Sequence, residues 1–374
     1  MVEPPTRVAL LTSEGRGAIA VVAVEGPQAA GAAARHFIPA GGIPLGRSPL
    51  GRIVFGRWGG ETGEEIVAVR MAPDQVELHC HGGLAAAAAI LADLVGGGCL
   101  TESWQHRALR RLGPFGAAAE VALSQARTER AAGILLDQYH GALETALREV
   151  VDLLAVDRSA AIARLEELLR RSRLGLHLTR PWRVVLAGSP NVGKSCLLNA
   201  LVGYRRAVVF DQPGTTRDVV RAATAIGGWP VELADTAGLR TGGDELEAAG
   251  VAKACVQVAE SDLILLVFDA SAAWSSVDAA LLAAHPAALP VHNKCDLAMR
   301  SYARPTGYPA SALRGDGIER LLGAIALHLV PEVPPIGAAV PFNDEHVSTI
   351  ETALASARKG AAAAAAASIA AMLG

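Results

Sequence analysis

Residues 182–200 read WRVVLAGSPNVGKSCLLNA: an apolar run, a turn bounded by glycines, and a helix-forming tail. The turn runs from Gly188 to Ser195 and carries glycine at its first and sixth positions, then Lys194 and Ser195. Such a spacing lets the backbone turn tightly, so that successive N–H groups and a helix N-terminus converge on phosphate oxygens. Lys194 is then placed to meet the β- and γ-phosphates of a nucleotide, and the Ser195 hydroxyl to complete a Mg2+ shell. Asn191, Val192, Gly193 and Cys196 belong to the same expected contact set. An ordinary glycine turn with a chance Lys-Ser pair is the alternative, and the strand before it and helix after it argue against that.

Three further segments narrow the nucleotide to one with guanine. LADTAG puts Asp235 at the end of an apolar run, where its carboxylate can hold Mg2+ through water, and Gly238 where a backbone N–H can sense a γ-phosphate. HNKCD ends another such run with Asn293, Lys294 and Asp296. A carboxylate accepts two hydrogen bonds from the N1–H and exocyclic amine of guanine, a pair that adenine lacks, so Asp296 is expected to choose the base. Lys294 can lay its aliphatic stem along the base plane. Ser311 and Ala312, in PASAL, are expected to back the guanine carbonyl with a main-chain N–H.

Between the phosphate-binding turn and Asp235 lies FDQPGTTRD, 210–218. A Gly-Thr-Thr there can deliver a hydroxyl to Mg2+ and then let go after hydrolysis, with Thr216 favoured as the ligand and Thr215 beside it. A plain polar loop is the other reading. Leu239 follows DTAG where many signalling GTPases carry a water-positioning glutamine, so hydrolysis needs another device. The candidates are Asn191, whose amide oxygen could ligate a monovalent cation, and Glu247, which could orient the attacking water or be a solvated helix charge.

Around this core, the 374 residues are enough for two or three domains. A net charge of -3 excludes a globally basic nucleic-acid binder, and an aromatic content of 4% argues against a stacking platform for single strands. The five scattered cysteines, without a CxxC pair, read as reduced thiols in a cytoplasmic protein. No signal peptide or membrane span is evident. Short apolar runs from Arg7 to Arg70, followed by VELHCHGGLAAAAAILADLV, predict an α+β domain over 1–114. Leucines and valines at helical spacing predict helices over 115–180, with a break at VDRS. Alternating strands and helices over 181–331 predict a parallel sheet with crossover helices. Residues 332–374 offer a tail helix, expected to return onto the first helical segment. The fold class is thus an α/β phosphate-loop GTPase domain inserted in a reduced α-helical domain and preceded by an α+β domain.

GSPNVGKS, DQPGTTRD, DTAGLR followed by DELEAAG, and NKCD, behind EGRGAIAVVAVEGP and VELHCHGG, resemble the MnmE (TrmE) family of tRNA-modifying GTPases. The resemblance runs from about Val8 to Val330. It implies a GTPase stimulated by potassium, a homodimer joined through the N-terminal domain, and G domains that meet across GTP. It also implies a one-carbon tetrahydrofolate site and action on the wobble uridine of tRNA with the FAD-dependent partner MnmG. Carried over by position, Asn191 matches the potassium ligand, Glu247 the water-positioning glutamate, and 210–218 the loop wrapping the cation. Lys194, Glu247 and Gly238 form the expected catalytic set. Arg16, Gly17, His79 and His81 fall where the folate site is built.

Family members end in a Cys-Ile-Gly-Lys motif, whereas this chain ends AAMLG with no cysteine after Cys295. The alternative expectation is therefore a GTP-dependent RNA- or ribosome-associated switch that no longer modifies tRNA. His79 and His81 alternate on a strand, so a metal site is conceivable, with a strand-to-helix turn as the plainer reading. Arg107, Arg110, Arg111, Arg170, Arg171 and Arg173 are read as solvated helix faces, with tRNA phosphates as the alternative partner.

Overall fold

The computed structural model describes residues 4–12, 17–204, 221–235, 260–297 and 303–373. The chain forms two compact units, Met1–Ala117 and Ala118–Gly374.

The first unit is built on a seven-stranded sheet. Its strands are β1 (Arg7–Leu10), β2 (Ile19–Glu25), β3 (Phe37–Pro39), β4 (Ile53–Trp58), β5 (Glu64–Ala72), β6 (Gln75–His81) and β7 (Leu100–Thr101). Their order is β3-β4-β5-β6-β2-β1-β7, antiparallel except where β7 joins β1. Alternation along β2 and β6 sends Val22, Val24, Val76 and Leu78 into one core. Helices α1 (Ala29–Ala34) and α2 (Leu84–Gly96) cover that face with Ala32, Ala33, Ile90 and Leu94.

Helix α3 (Trp104–Ser124) begins in this unit and breaks at Gly113, φ 73°, ahead of Pro114, whose missing N–H cannot continue the ladder. Its first half is pinned by charge. Arg107 Nη2 lies 2.7 Å and Arg110 Nη2 2.6 Å from the Glu25 carboxylate, and Arg110 also reaches Glu102 at 2.7 Å. Burial pushes the Glu25 carboxyl up, but the two guanidiniums outweigh it and hold it below the usual range. The expectation of solvated arginines is corrected for Arg107, which is buried against Glu25 of β2; Arg110 is exposed and pairs with Glu25 and Glu102 at the surface.

In the second unit a six-stranded sheet carries β8 (Trp182–Ala187), β9 (Arg221–Ile226), β10 (Trp229–Asp235), β11 (Leu263–Asp269), β12 (Leu289–Asn293) and β13 (Tyr308–Pro309). The order is β13-β12-β11-β8-β10-β9. Five strands are parallel; β9 runs antiparallel to β10 across a Gly227–Gly228 turn, so the sheet is mixed rather than parallel throughout. RAATAI mixes small and polar residues, and only its pairing with β10 defines it as a strand. Buried on both faces, Val184 and Leu265 on one and Val185 and Leu266 on the other form the centre of the sheet. Helices α7 (Lys194–Gly203), α8 (Ser276–Ala284) and α9 (Ile318–Leu329) accompany it.

The same unit holds α4 (Glu129–Tyr139), α5 (Ala142–Val156), α6 (Arg158–Leu176), α10 (Asp344–Arg358) and α11 (Ala362–Leu373). Asp157 ends α5 and caps α6 by accepting from Ala160 N at 3.0 Å. Helix α10 packs on α6 and α11 on α5, burying Ile350, Leu354 and Ile369 against leucines of the older pair. Arg171 reaches Glu167 one turn earlier, whereas Glu166 pairs with Arg358 of α10. At the end of α6, the His177 ring stacks on Trp182 with centroids 3.6 Å apart, and its Nε2 lies 3.2 Å from Asp262. Burial pushes the Asp262 carboxyl up, yet His177 and the Arg183 N–H bring it below its ordinary value.

Candidate functional site

In the second unit the strand order reverses around β8, since β10 lies on one side and β11 on the other. A crevice at the carboxyl ends of the strands is where such sheets bind ligands. The Gly188–Lys194 loop leaves β8 there. Gly188, φ 151°, passes so close to β11 that a Cβ would come within 2.3 Å of the Val267 carbonyl. Gly193, φ 91°, leaves no room either: a Cβ would lie 2.4 Å from Asn293 Nδ2. Both positions therefore need glycine by contact as well as by dihedral. Helix α7 starts at Lys194, whose buried ammonium donates to the carbonyls of Gly188 and Ser189, each at 2.9 Å.

The hydroxyl of Ser195 donates to the carboxylate of Asp235, which is buried at the end of β10. A hydroxyl and a carboxylate side by side are hard oxygen donors of the kind Mg2+ takes, so this pair fits the ion. Cys196 follows on the exposed side of α7, and Val192 is buried.

Asn293, 1% exposed at the end of β12, ties the loops together. Its Nδ2 donates to Val192 O at 2.9 Å, and its Oδ1 accepts from Ala312 N at 3.1 Å. Lys294 has left-handed backbone, φ 62°, and sends its ammonium to Asn191 O at 2.7 Å and Asp269 Oδ2 at 2.6 Å. Asn191 likewise has φ 63°. The Asp296 side chain is 4% exposed, with Arg314 Nε 3.7 Å from it. Ser311 is fully buried and its Oγ accepts from Arg314 N at 3.1 Å, which shapes the loop that presents the Ala312 N–H.

Lys194, Ser195, Asp235, Asn293, Lys294, Asp296, Ser311 and Ala312 thus converge around the ends of β8, β10 and β12. Thr215, Thr216, Gly238 and Glu247 lie outside the described residues. Asp269, at the end of β11, was not among the expected residues, although a carboxylate closing the buried run LILLVFD was a readable signal. Arg304 was also missed. It donates to the carbonyls of Ala270 at 2.9 Å and Ala272 at 3.3 Å, and a basic residue in a Pro-containing loop carries no signal of that role.

Among the residues matched to a folate site, Gly17 lines a cavity of about 110 Å3 with Leu10, Thr12, Ala20, Gly83 and Leu84. His79 and His81 do not line it: His79 Nε2 lies 3.4 Å from Glu77, and His81 Nδ1 2.5 Å from Glu64. Arg16 lies outside the described residues. No group of three or more histidine, cysteine or acidic side chains arranged to hold a metal ion occurs among the described residues. Nor, among them, is any helix long and apolar enough to cross a membrane.

A family model described as a 50S ribosome-binding GTPase matches residues 183–294. The chain is 35% identical over 352 residues to a tRNA modification GTPase MnmE of Synechococcus sp. (strain WH7803), covering 82% of this chain and 76% of the relative. With the protein of the same name from Synechococcus sp. (strain CC9605) it shares 34% identity over 362 residues, 85% of this chain and 80% of that one. The one from Symbiobacterium thermophilum is 35% identical over 337 residues, 78% and 74% of the two chains.

Proposed function

The chain belongs to the MnmE family of tRNA modification GTPases and hydrolyses GTP, and on that premise we propose that it couples this hydrolysis to modification of the wobble uridine of tRNA. The observation that carries the nucleotide half of this reading is the Asn293 strut, which joins the phosphate-binding loop to the segment bearing Ala312. In the cycle Lys194 exchanges the carbonyls of Gly188 and Ser189 for β- and γ-phosphate oxygens. Ser195 and Thr216 would hold Mg2+, with Asp235 holding it through water, and the bound ion would supply positive charge against the phosphates. Asp296 accepts from the guanine edge and Lys294 lines the base with its stem, while Asn293, which takes up the Ala312 N–H, holds the Ser311–Ala312 loop beside the guanine carbonyl. Glu247 orients the attacking water, Gly238 senses the γ-phosphate, and Asn191 with 210–218 holds K+.

The further parts of the proposal concern assembly. The protein is a cytoplasmic homodimer whose G domains associate across GTP, acting with an FAD-dependent MnmG-like partner and a one-carbon tetrahydrofolate at Gly17. The division into 1–114, 115–180, 181–331 and 332–374, with the G domain inserted in the helical one, is supported by the packing of α10 on α6 and of α11 on α5.

Restoring wobble-uridine modification in cells that lack their own family member tests the proposal. GTP turnover without restoration would replace it with the RNA- or ribosome-associated switch. The cation part is tested by comparing turnover in potassium and sodium: wild type is expected to be faster in potassium, and Asn191→Ala to lose the difference. Equal wild-type rates in both salts would rule out the cation role.

A further inference from the structure

Asp269 closes β11 beside the nucleotide crevice, and both of its carboxylate oxygens are committed. Oδ1 accepts from Ser271 N at 2.8 Å and Ser271 Oγ at 2.6 Å, which fixes the plane of the carboxylate. Oδ2, left facing the crevice, accepts from Lys294 Nζ at 2.6 Å. From the other side Arg304 donates to three successive parts of the same loop, the carbonyls of Asp269 at 3.5 Å, Ala270 at 2.9 Å and Ala272 at 3.3 Å. The loop is thereby clamped between a guanidinium and its own Asx turn. Burial pushes the Asp269 carboxyl up, but Lys294 and Ser271 outweigh this and keep it below its usual range.

A lysine is a point charge on a flexible stem, with three donors that can point in many directions. Here two of them are taken, by the Asp269 carboxylate and by the Asn191 carbonyl of the phosphate-binding loop. Only the carboxylate attracts the ammonium by charge. With the ammonium anchored at that end, the methylene stem keeps less of its freedom.

We propose that Asp269 is a positioning residue for guanine-nucleotide binding: it anchors the Lys294 ammonium so that the lysine stem stands ready as the wall on which the purine lies. This rests on the reading that Lys294 lines the base. Its consequence is a split between binding and chemistry. Losing the anchor moves an ordering cost into the binding step, for GDP and GTP alike. The phosphate-side groups Lys194, Ser195 and Asp235 are untouched, and so is base choice by Asp296.

The test uses the full chain and a fluorescent GDP analogue with Mg2+. Asp269→Asn is expected to raise the rate of GDP release and the KM for GTP by about tenfold while kcat at saturation stays within about twofold. Ser271→Ala keeps the charge but frees the carboxylate plane, and is expected to shift release in the same direction by about threefold. Guanine over xanthine preference is expected to be unchanged in both. Release within about twofold of wild type in folded Asp269→Asn, or a fall in kcat as large as the rise in KM, overturns the inference. Should Asp269→Asn fail to fold, unchanged release in Ser271→Ala overturns it. Wild-type protein that binds no GDP at all would instead sink the nucleotide reading beneath it.

Discussion

Asn293 and Val192 are 101 residues apart in the chain, and the amide of one donates to the carbonyl of the other at 2.9 Å within the protein interior. Through its other side-chain atom Asn293 accepts from Ala312, so one buried amide holds both the Gly188–Lys194 loop and the loop of Ser311 and Ala312.

Asn293→Ala leaves the Val192 carbonyl and the Ala312 N–H without that partner, at about 1–3 kcal/mol for each buried group. GDP affinity is expected to fall by about 100-fold, because both loops lose their common anchor. Calorimetric titration of GDP with Mg2+ checks this, and affinity within a few-fold of wild type would show that the strut does not organise the site.

Asp296→Asn places an amide where guanine needs only acceptors. Preference for GTP over XTP is expected to fall by at least about 100-fold, since buried recognition groups reject a mismatched edge strongly. Competition between the two triphosphates measures it; unchanged selectivity would move base choice away from Asp296.

Gln138 predicts a stability effect far from the nucleotide. From α4 it donates to Ile134 O at 2.9 Å and Ala338 O at 3.0 Å, and accepts from Val340 N at 3.1 Å. Val340 is fully buried, so Gln138→Ala strands its N–H and is expected to cost about 3 kcal/mol. Urea unfolding is the measurement, and a loss below about 1 kcal/mol would mean that the segment relaxes to other partners.

His346 makes stability depend on pH. Buried in the first turn of α10 against the Phe342 ring and Asn343, its imidazole is pushed down to about 4 by desolvation. Unfolded chains take up that proton near pH 6.5, so they bind more protons than the fold does between the two values. The contribution is therefore complete above about pH 6.5, is lost as pH falls toward 4 at no more than about 1.4 kcal/mol per pH unit, and levels off below. Wild type minus His346→Gln, followed by unfolding at pH 7.5, 5.5 and 4.5, is expected to trace that loss. A difference that does not vary with pH would refute it.

Much of the candidate site's geometry was legible because its parts are local. Gly188, Gly193, Lys194 and Ser195 sit within one turn, and each of Asp235 and Asn293 ends an apolar run that is long enough for one strand. The misses have a common cause. Strand β9 is short, with only Thr224 and Ile226 buried, and is defined by pairing with β10; Asp269 meets Lys294 only because β11 and β12 are neighbours. Arg107 looked like a solvated charge because its partner, Glu25, lies over 80 residues earlier.

By itself the sequence determined the strand, loop and helix around Gly188–Ser195 and the residue types proposed to meet a guanine, since covalent spacing sets a turn's geometry and its donors. Only the tertiary structure decided which strand ends stand side by side. Long-range partners such as Asn293 with Val192, Asp269 with Lys294 and Gln138 with Val340 follow from that adjacency. A buried polar group must find its complement among whatever the packed sheet brings within 3 Å or so, and chain distance carries no record of that.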